Sequence, residues 1–392
     1  MRLGYHCHIP AYENNSEIRM PGYIGVFIDS LASYSESIIC FMHEPLAEEI
    51  DQLGYQIKSQ NVYLVSIGPH TSVPKRLVNS YKIRKKIFSY QNKLDILLIR
   101  APTPLIHIFS KKFTVAMGLH IVSDYLAGID HLPQPFWRKE MIRLFARWNY
   151  WHQSKIEQKG IVFAAGETIY NNLQPIVSNL KRIRNSTLSD KDIYNRKDTC
   201  ENDTIILLFV GRLEKSKGLF ELYEALSQLK NNRKEYKLYL VGWPEKDDSI
   251  LEDLDNYAKK LGIKQLVVNL GYIQLGPELF EIYKKADICV MPTKYDMFPR
   301  TITEAMGHSL PVIATKVGSI PLRLTDGFHA ILVEPGDSSA LSDAINEVVS
   351  NKQLRQKLIK EGRKYSSQNT LEIQNKKMIN RLENYINKRL VK

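Results

Sequence analysis

The sequence predicts an α/β fold with two Rossmann-like, doubly wound domains facing a central cleft. Its 392 residues exceed the roughly 250–300 residues that one hydrophobic core usually serves. Short runs rich in β-branched residues alternate with amphipathic segments, which is typical of β-α-β units in parallel sheets. A polar stretch without periodicity, residues 186–203, separates the two halves and is predicted to be the linker between them.

The alternation is clearest in the second half, residues 204–368, which we predict to be one domain. Because parallel strands need crossover connections, each strand is expected to be followed by a helix. The predicted strands are 205–211, 236–242, 266–273, 287–293, 311–318 and 329–337, and the predicted helices are 219–230, 250–262, 277–286, 303–308 and a pair within 338–366.

The first half, residues 1–185, shows the same pattern less regularly and is predicted to be the acceptor-binding domain. A loop that contains Gly22 and Gly25, residues 20–25, is expected after the first strand. The last segment, residues 369–392, is either a plain terminal helix or one that packs on the first domain. The predicted strands are 1–9, 37–45, 62–68, 94–102, 113–124 and 161–166.

Composition excludes several classes of protein. The four cysteines have neither metal-site nor disulfide-framework spacing. The first residues lack the charged-then-apolar pattern of a signal peptide, and the sequence has no apolar run of about 18 residues. We therefore expect a cytoplasmic protein with reduced thiols. The net charge of +12 favours anionic partners, but no nucleic-acid-binding motif accompanies it, so no nucleic-acid partner is expected.

One predicted helix, residues 136–152, interleaves aromatic and basic side chains. An interfacial helix on an anionic membrane would have this pattern, and so would a core helix with a solvated basic face. Both interpretations stay open from the sequence. The aromatic residues are Phe136, Trp137, Phe145, Trp148, Tyr150 and Trp151, and the basic residues are Arg138, Lys139, Arg143 and Arg147.

A first candidate site follows the strand at 205–211, where Gly211 and Arg212 lead to Lys217 just before a helix. Ligands of open parallel sheets bind at the carboxyl ends of strands, and helix N-termini favour anions. Arg212 and Lys217 therefore lie where a phosphate would bind, although a solvated loop would look the same.

A second candidate site lies in the stretch YDMFPRTITEAMGHSLPVIATKVGSIP, residues 295–321. Asp296 and Glu304 follow the strand at 287–293, so both lie near the same sheet edge as Arg212 and Lys217. A carboxylate here can accept hydrogen bonds from a vicinal diol such as ribose, and the amides of the helix start can hold a phosphate.

Three stretches in this half resemble a known family: VGRLEKSKG, YDMFPRTITEAMGHSLPVIATKVGSIP and DGFHAILVEPGD. They resemble, in order, the donor-binding half of the family-4 retaining glycosyltransferases of the GT-B fold, over residues 204 to about 365. The resemblance implies a nucleotide-sugar donor, UDP- or GDP-linked, and no other cofactor.

The resemblance also implies roles for individual residues. Asp296, Glu304, Arg212 and Lys217 form the implied catalytic set: the two cations would bind the donor diphosphate, Glu304 the ribose, and Asp296 the donor sugar. In the family the earlier acidic position is Glu followed by Gly, whereas this chain has Asp296 followed by Met297. The remaining implied donor contacts are Gly211, the backbone of Phe298, Pro299, Arg300 and Thr301, and, beside the base, Tyr272 and Ile273.

In the first half the resemblance is only in outline. The family often has a His after the fourth strand, where this chain has Arg100. Asp124 is a second polar candidate at a strand end, unless it caps the next helix. Asp253-Leu254-Asp255 spells a metal-binding pattern but falls within a predicted helix, so no bound metal is expected.

Together these observations predict a cytoplasmic, metal-independent, retaining hexosyltransferase that transfers a sugar to a hydroxyl of a glycan. The basic, aromatic first half favours a lipid-linked oligosaccharide of bacterial surface polysaccharide synthesis as the acceptor, with peripheral binding at the inner face of the plasma membrane. Two alternatives remain: a catalytically silent GT-B binding protein, suggested by the Asp296-Met297 departure, and another GT-B enzyme such as a sugar epimerase or phosphorylase.

Overall fold

The computed structural model describes residues 1–111, 113–129, 134–230, 233–244 and 249–390. The chain forms two compact units. The first comprises Met1–Asn185 together with the segment from Leu371 onward, and the second comprises Ser186–Thr370. Each unit is built on a parallel sheet flanked by helices, as predicted for a pair of Rossmann-like domains.

The first unit contains a seven-stranded parallel sheet in the order β10-β9-β8-β7-β1-β4-β6 and a small antiparallel sheet of β2, β3 and β5. The central strand β7 begins with a continuous run of buried apolar residues, as expected for a strand whose sheet is covered on both faces. The strands are β1 (Arg2–Pro10), β2 (Tyr12–Asn14), β3 (Glu17–Met20), β4 (Ser37–Glu44), β5 (Tyr55–Gln56), β6 (Val62–Pro69), β7 (Ile96–Ala101), β8 (Ala116–Ile121), β9 (Ile161–Ala164) and β10 (Leu180–Arg182). The helices are α1 (Gly22–Ala32), α2 (Val73–Val78), α3 (Ser80–Phe88), α4 (Ile106–Phe109), α5 (Tyr125–Gly128), α6 (Phe136–Glu157) and α7 (Glu167–Leu173).

The loop predicted at residues 20–25 is wrong, because β3 runs to Met20 and α1 begins at Gly22. Gly22 and Gly25 are therefore both helical residues in the first turns of α1. A Cβ at Gly25 would lie 2.1 Å from Cδ1 of Tyr55, so this glycine makes room for an aromatic ring on β5. Close packing, and not a loop, explains the glycine.

The second unit contains six parallel strands in the order β13-β12-β11-β14-β15-β16. The strand order reverses beside β11, whose neighbours are β12 and β14, and such a switch point creates a crevice at the carboxyl ends of the strands. The strands are β11 (Thr204–Val210), β12 (Glu235–Val241), β13 (Val267–Asn269), β14 (Ile288–Met291), β15 (Val312–Thr315) and β16 (Ile331–Val333). The helices are α8 (Leu219–Leu229), α9 (Ile250–Lys260), α10 (Pro277–Lys285), α11 (Arg300–Gly307), α12 (Ile320–Arg323), α13 (Ser338–Ser350) and α14 (Lys352–Ser367).

Residues 186–203, predicted as a linker, are anchored within the second unit. Arg196 donates to the carbonyl oxygens of Lys284 at 2.9 Å and Ala286 at 2.5 Å. Asp198 accepts from Arg355, with its Oδ1 2.7 Å from Nε. The polar side chains that made this stretch look like a solvated linker satisfy buried backbone and ionic groups instead.

The last helix, α15 (Leu371–Leu390), belongs to the first unit. Met378, Ile379 and Leu382 are buried in the hydrophobic core of that unit. Gln374 Oε1 accepts from the backbone N–H of Arg184 at 3.1 Å, which fixes the start of the helix against the end of the first unit's long segment.

Candidate functional site

Two loops beside the switch point form the candidate site. Residues 211–218 follow β11, and residues 292–299 follow β14. The backbone N–H of Lys294 donates to the Ser216 carbonyl at 2.8 Å. Gly218 adopts φ +69°, and a Cβ there would lie 2.0 Å from the Pro292 carbonyl oxygen. The close approach of the two loops therefore requires a glycine at this position.

An ion pair joins the two loops. Nζ of Lys217 lies 2.6 Å from Oδ2 of Asp296, and Oε1 of Glu214 lies 3.9 Å from the same Nζ. Lys217 is buried, whereas the Arg212 side chain is half exposed with Nη1 3.2 Å from Oε2 of Glu214. The structure thus brings together Arg212, Lys217 and Asp296, which were predicted at the same edge of the sheet. It also shows Asp296 bound to the cation expected to bind the diphosphate.

The backbone before α11 has a fixed shape. The N–H of Ser319 donates to the Met297 carbonyl at 2.7 Å. Gly318, with φ +54°, passes so close that a Cβ would lie 2.0 Å from the Asp296 carbonyl oxygen. The Arg323 guanidinium lies 3.7 Å from the centroid of the Phe298 ring. Because a helix start has N–H groups without intrahelical acceptors, the start of α11 at Arg300 and Thr301 is suited to bind an anion.

Glu304 is a buried carboxylate. It is 4% exposed, and its oxygens accept hydrogen bonds from the Thr187 hydroxyl and, at 2.8 Å, from the Tyr283 hydroxyl. Burial, together with the Glu304 carboxylate, raises the pKa of Tyr283 well above its usual value, so this hydroxyl remains a donor. His308 stacks on Tyr283 and bonds through Nδ1 to the Glu304 carbonyl at 2.7 Å. The carboxylate is therefore enclosed by donors from its own unit.

An aromatic pair lies at the carboxyl ends of β12 and β13. Tyr272, predicted beside a base, makes an edge-on contact with Trp243 at 4.5 Å between ring centroids. Both rings are partly exposed, and the Trp243 carbonyl accepts from Leu213 N–H at 2.9 Å, next to Arg212. Ile273 is partly buried against the core. Sequence reasoning missed Trp243, whose signal was a tryptophan directly after a strand and Gly242.

In the first unit, Arg100 and His120 are register partners on β7 and β8. The Arg100 guanidinium lies 5.8 Å from the centroid of Tyr23, and Nε2 of His120 bonds Oδ1 of Asn185 at 3.0 Å. Burial, assisted by the nearby Arg100 charge, lowers the pKa of His120 to about 3. His120 is thus a neutral histidine next to the position where one was expected, and sequence reasoning missed it.

Asp124 has a structural role in the first unit. Its Oδ1 accepts from the Leu126 N–H at 2.9 Å, in the first turn of α5, and from the Tyr150 hydroxyl at 2.6 Å. The carboxylate therefore ties a short helix to α6.

The Asp253-Leu254-Asp255 stretch lies within α9. Leu254 is buried, Asp253 pairs with Lys215 at 3.3 Å, and Asp255 pairs with Lys259 at 2.6 Å. The two aspartates thus lie on a helix, as predicted, and pair with the exposed lysines Lys215, after β11, and Lys259, on α9.

The aromatic helix α6 does not bury its tryptophans. Its buried face is formed by Ala146, Asn149, Gln153, Ile156 and Glu157. The exposed apolar side chains include Trp137, Met141, Leu144, Trp148 and Trp151, which recur every three or four residues. The core-helix interpretation is therefore wrong for these aromatics, because the buried stripe is a different one. Within the described ranges, no helix has the length and apolar character to cross a membrane.

Comparison with known proteins finds a similarity to a known family within the second unit. Residues 190–365 match the family model of glycosyl transferases group 1. An uncharacterized glycosyltransferase of Methanocaldococcus jannaschii is 29% identical over 198 residues, 50% of this chain and 48% of that protein. The D-inositol 3-phosphate glycosyltransferase of Corynebacterium jeikeium is 32% identical over 155 residues, 39% of this chain and 37% of that protein. These matches span about half or less of the relatives' lengths.

A solved structure extends the similarity to both units. The crystal structure of HepE from Anabaena in complex with UDP-glucose has a TM-score of 0.74 and 15% identity, and the alignment covers 98% of this chain and 100% of HepE. Identity this low supports the fold alone. The predicted GT-B fold is confirmed for the chain, and the similarity to glycosyl transferases group 1 covers residues 190–365.

Proposed function

We propose that this chain, whose residues 190–365 match the family model of glycosyl transferases group 1, transfers a sugar from a UDP- or GDP-sugar to a hydroxyl of a glycan. The observation that carries the proposal is the pair of loops at the switch point, where Lys217 pairs with Asp296 in the loop that leads into α11 and Arg212 pairs with Glu214. A UDP-glucose complex of a protein with the same fold supports a nucleotide-sugar donor.

The donor diphosphate would bind Arg212, Lys217 and the amides of Arg300 and Thr301. Cleavage of the sugar–phosphate bond leaves negative charge on the diphosphate, and preorganised cations and amides stabilise that charge. Lys217 suits this role because Asp296 holds it in one position before the donor arrives. The phosphate would then compete with Asp296 for the ammonium group and leave the carboxylate available to the sugar.

The nucleoside would bind at the exposed faces of Trp243 and Tyr272, since aromatic rings stack on bases. Glu304 would serve the ribose in one of two ways. It would either exchange a hydroxyl partner for the ribose diol or position the start of α11 through Thr187 and Tyr283.

We further propose a retaining, metal-independent reaction, because side chains and helix amides supply the positive charge that a divalent cation supplies elsewhere. Turnover should survive a strong chelator. If chelation abolished transfer and manganese or magnesium restored it, this part of the proposal would be wrong.

The proposed acceptor is a lipid-linked oligosaccharide used in bacterial surface polysaccharide synthesis, and α6 is the proposed contact with the inner face of the plasma membrane. Its exposed apolar stripe is flanked by the exposed Arg138 and Arg147. Aromatic side chains insert at the headgroup level, and each basic residue near an anionic surface contributes about 1 kcal/mol.

The decisive experiment for the main proposal is turnover of a panel of nucleotide sugars, with release of UDP or GDP as the signal. Donor hydrolysis or transfer supports a glycosyltransferase, isomerised sugar nucleotide supports an epimerase, and binding without turnover supports a silent binding protein. Asp296→Asn should reduce transfer more than nucleotide affinity, because the proposed contact of Asp296 is to the sugar.

The membrane contact is tested by sedimentation with anionic vesicles and, in parallel, with neutral vesicles. Binding should fall as salt increases, because the surface potential is screened over a Debye length. Arg138→Gln/Arg147→Gln should release the protein, whereas the matched pair Lys376→Gln/Lys377→Gln on α15 should not. Equal binding to both kinds of vesicle would refute an electrostatic contact through α6.

A further inference from the structure

A basic cavity in the first unit has no role in the function described so far. It has a volume of about 300 Å³ and lies where β4 and β6 end. Its lining includes His43 from β4, Gly68 and Pro69 from β6, and residues of α2 and α3. The carboxyl edge of a parallel sheet is where such folds bind ligands, and this volume lies at the small end of ligand sites.

The cavity is lined by three cations: Arg76, Lys82 and Lys86. No acidic residue is found among the described residues that line it. Lys82 and Lys86 are one helical turn apart on α3 and therefore project from the same face of that helix. This arrangement concentrates positive charge at one small opening.

Arg76 is the strongest indication that the cavity binds an anion. It is only 8% exposed, and neither its Nε nor its Nη1 has a hydrogen-bond partner among the described residues. Buried guanidinium N–H groups without acceptors are costly, and burial lowers the pKa of Arg76. Glu49 and Tyr125 are close enough to act on it electrostatically, but the Glu49 carboxylate is bound by His70 at 2.7 Å.

His43 adds a neutral hydrogen-bonding group to the same lining. Nδ1 donates to the Gly68 carbonyl at 3.0 Å, while Nε2 has no partner in the described part of the chain. Burial lowers the pKa of His43 to about 4, so the ring is neutral at physiological pH and Nε2 is a free acceptor. A ligand with an anionic group and a neighbouring hydroxyl would satisfy Arg76 and His43 together.

We propose that this cavity binds a phosphate group carried by the acceptor substrate. Phosphate has a charge between one and two at neutral pH and enough acceptor oxygens for three cationic side chains, whereas a carboxylate has one charge and two oxygens. A hydroxyl next to the phosphate would donate to Nε2 of His43. The inference rests on the proposed function, since it describes the molecule that receives the sugar.

The test uses the full chain with labelled isoleucine methyl groups and inorganic phosphate as the probe. Ile67 and Ile83 line the cavity, and Ile273 lies in the second unit next to Tyr272. Phosphate should shift the Ile67 and Ile83 signals in a saturable way, and acetate at equal ionic strength should shift them much less. Because no nucleotide sugar is present, the result is independent of whether the chain turns over a donor.

Variants localise the binding. Lys82→Gln/Lys86→Gln removes two exposed lining cations and should weaken phosphate binding, read at Ile67 and Ile83, at least about tenfold. Arg76→Gln should do the same, but the exposed pair keeps the test valid if this buried variant fails to fold. The matched control Lys75→Gln/Lys85→Gln removes the same charge outside the lining. Lys217→Gln should leave the two cavity signals unchanged.

The inference would be overturned by the lack of a saturable shift at Ile67 and Ile83, by equal shifts with acetate, or by equal weakening in the control pair. A shift confined to Ile273 would also overturn it, because phosphate would then bind only near the donor site. Loss of donor turnover with intact phosphate binding would instead count against the proposed function alone.

Discussion

Glu304→Ala should destabilise the second unit even without any nucleotide. Glu304 accepts hydrogen bonds from the hydroxyls of Thr187 and Tyr283, two residues that are 3% and 0% exposed. Removing the carboxylate leaves two buried donors unsatisfied, at about 1–3 kcal/mol each. The expected loss is therefore about 2–6 kcal/mol.

For a unit of this size each kcal/mol corresponds to roughly 2–4 °C in Tm, so Glu304→Ala should lower Tm by at least about 4 °C. Differential scanning calorimetry of the nucleotide-free protein measures the effect. Glu281→Ala is the matched control, because Glu281 is exposed and its carboxylate forms a surface ion pair with Lys284. Its Tm should change by no more than about 1–2 °C.

A double-mutant cycle identifies the source of the loss. If Tyr283 is hydrogen-bonded to Glu304, the double variant Tyr283→Phe/Glu304→Ala should lose less free energy of unfolding than the two single variants lose in sum. A wild-type Tm for Glu304→Ala, or strict additivity with Tyr283→Phe, would refute the buried network and leave Glu304 as a purely ligand-facing group.

The remaining predictions concern the donor contacts and pH. In calorimetric titration, Lys217→Ala should weaken UDP binding at least about tenfold. The control Lys215→Ala, two residues away and exposed, should change the UDP affinity by no more than about twofold. Equal effects of the two variants would contradict the proposed phosphate contact of Lys217. If the Trp243 ring stacks on the base, Trp243→Ala should weaken the binding of UDP by roughly 1–3 kcal/mol and leave the binding of pyrophosphate unchanged. His120 has its folded pKa lowered to about 3 by burial, so its contribution to stability is complete above pH 6.5 and is lost as pH falls toward the folded value. Denaturant unfolding should show that the free energy of unfolding falls by about 2 kcal/mol between pH 6.5 and about pH 5 because of His120. His120→Gln should make the free energy of unfolding less dependent on pH in this range.

Sequence patterns located the main strands well because parallel strands covered on both faces are continuous apolar runs. Residues 205–211, for example, were predicted as a strand that the structure places at Thr204–Val210. Short strands were harder to predict. The apolar run at 266–273 contains only three strand residues, Val267–Asn269, because Gly271 has φ +69° and the chain turns there.

The candidate site was predictable only as far as topology determines it. Arg212, Lys217 and Asp296 were expected at one edge because each follows a strand of one parallel sheet. Their pairing was not predictable, since Lys217 and Asp296 are 79 positions apart and the contact depends on side-chain geometry. The enclosure of Glu304 by Thr187 depends on a segment that the sequence indicated as a linker.

Polar residues caused the other errors for one physical reason. Sequence patterns assume that charged and amide side chains face water, but buried polar groups are stable when hydrogen-bonded. Arg196 and Asp198 satisfy buried groups in this way, and so does Gln153 on the buried face of α6. The aromatic residues of α6 show the opposite error, because sequence patterns assume that such side chains are buried. Their exposure follows from the packing of the other face of the helix, which only the structure shows.

The place of α15 in the first unit has a consequence for biosynthesis. Ribosomal synthesis delivers Met378, Ile379 and Leu382, which complete the first unit's core, only after the whole second unit has emerged. N-terminal domains usually fold first during translation, but here the second unit has all its residues available earlier. In a nascent chain arrested before residue 371, the second unit should therefore be resistant to protease while the first unit stays susceptible. The apolar core residues of the first unit that α15 would cover remain exposed at this stage, and we expect a chaperone to bind there.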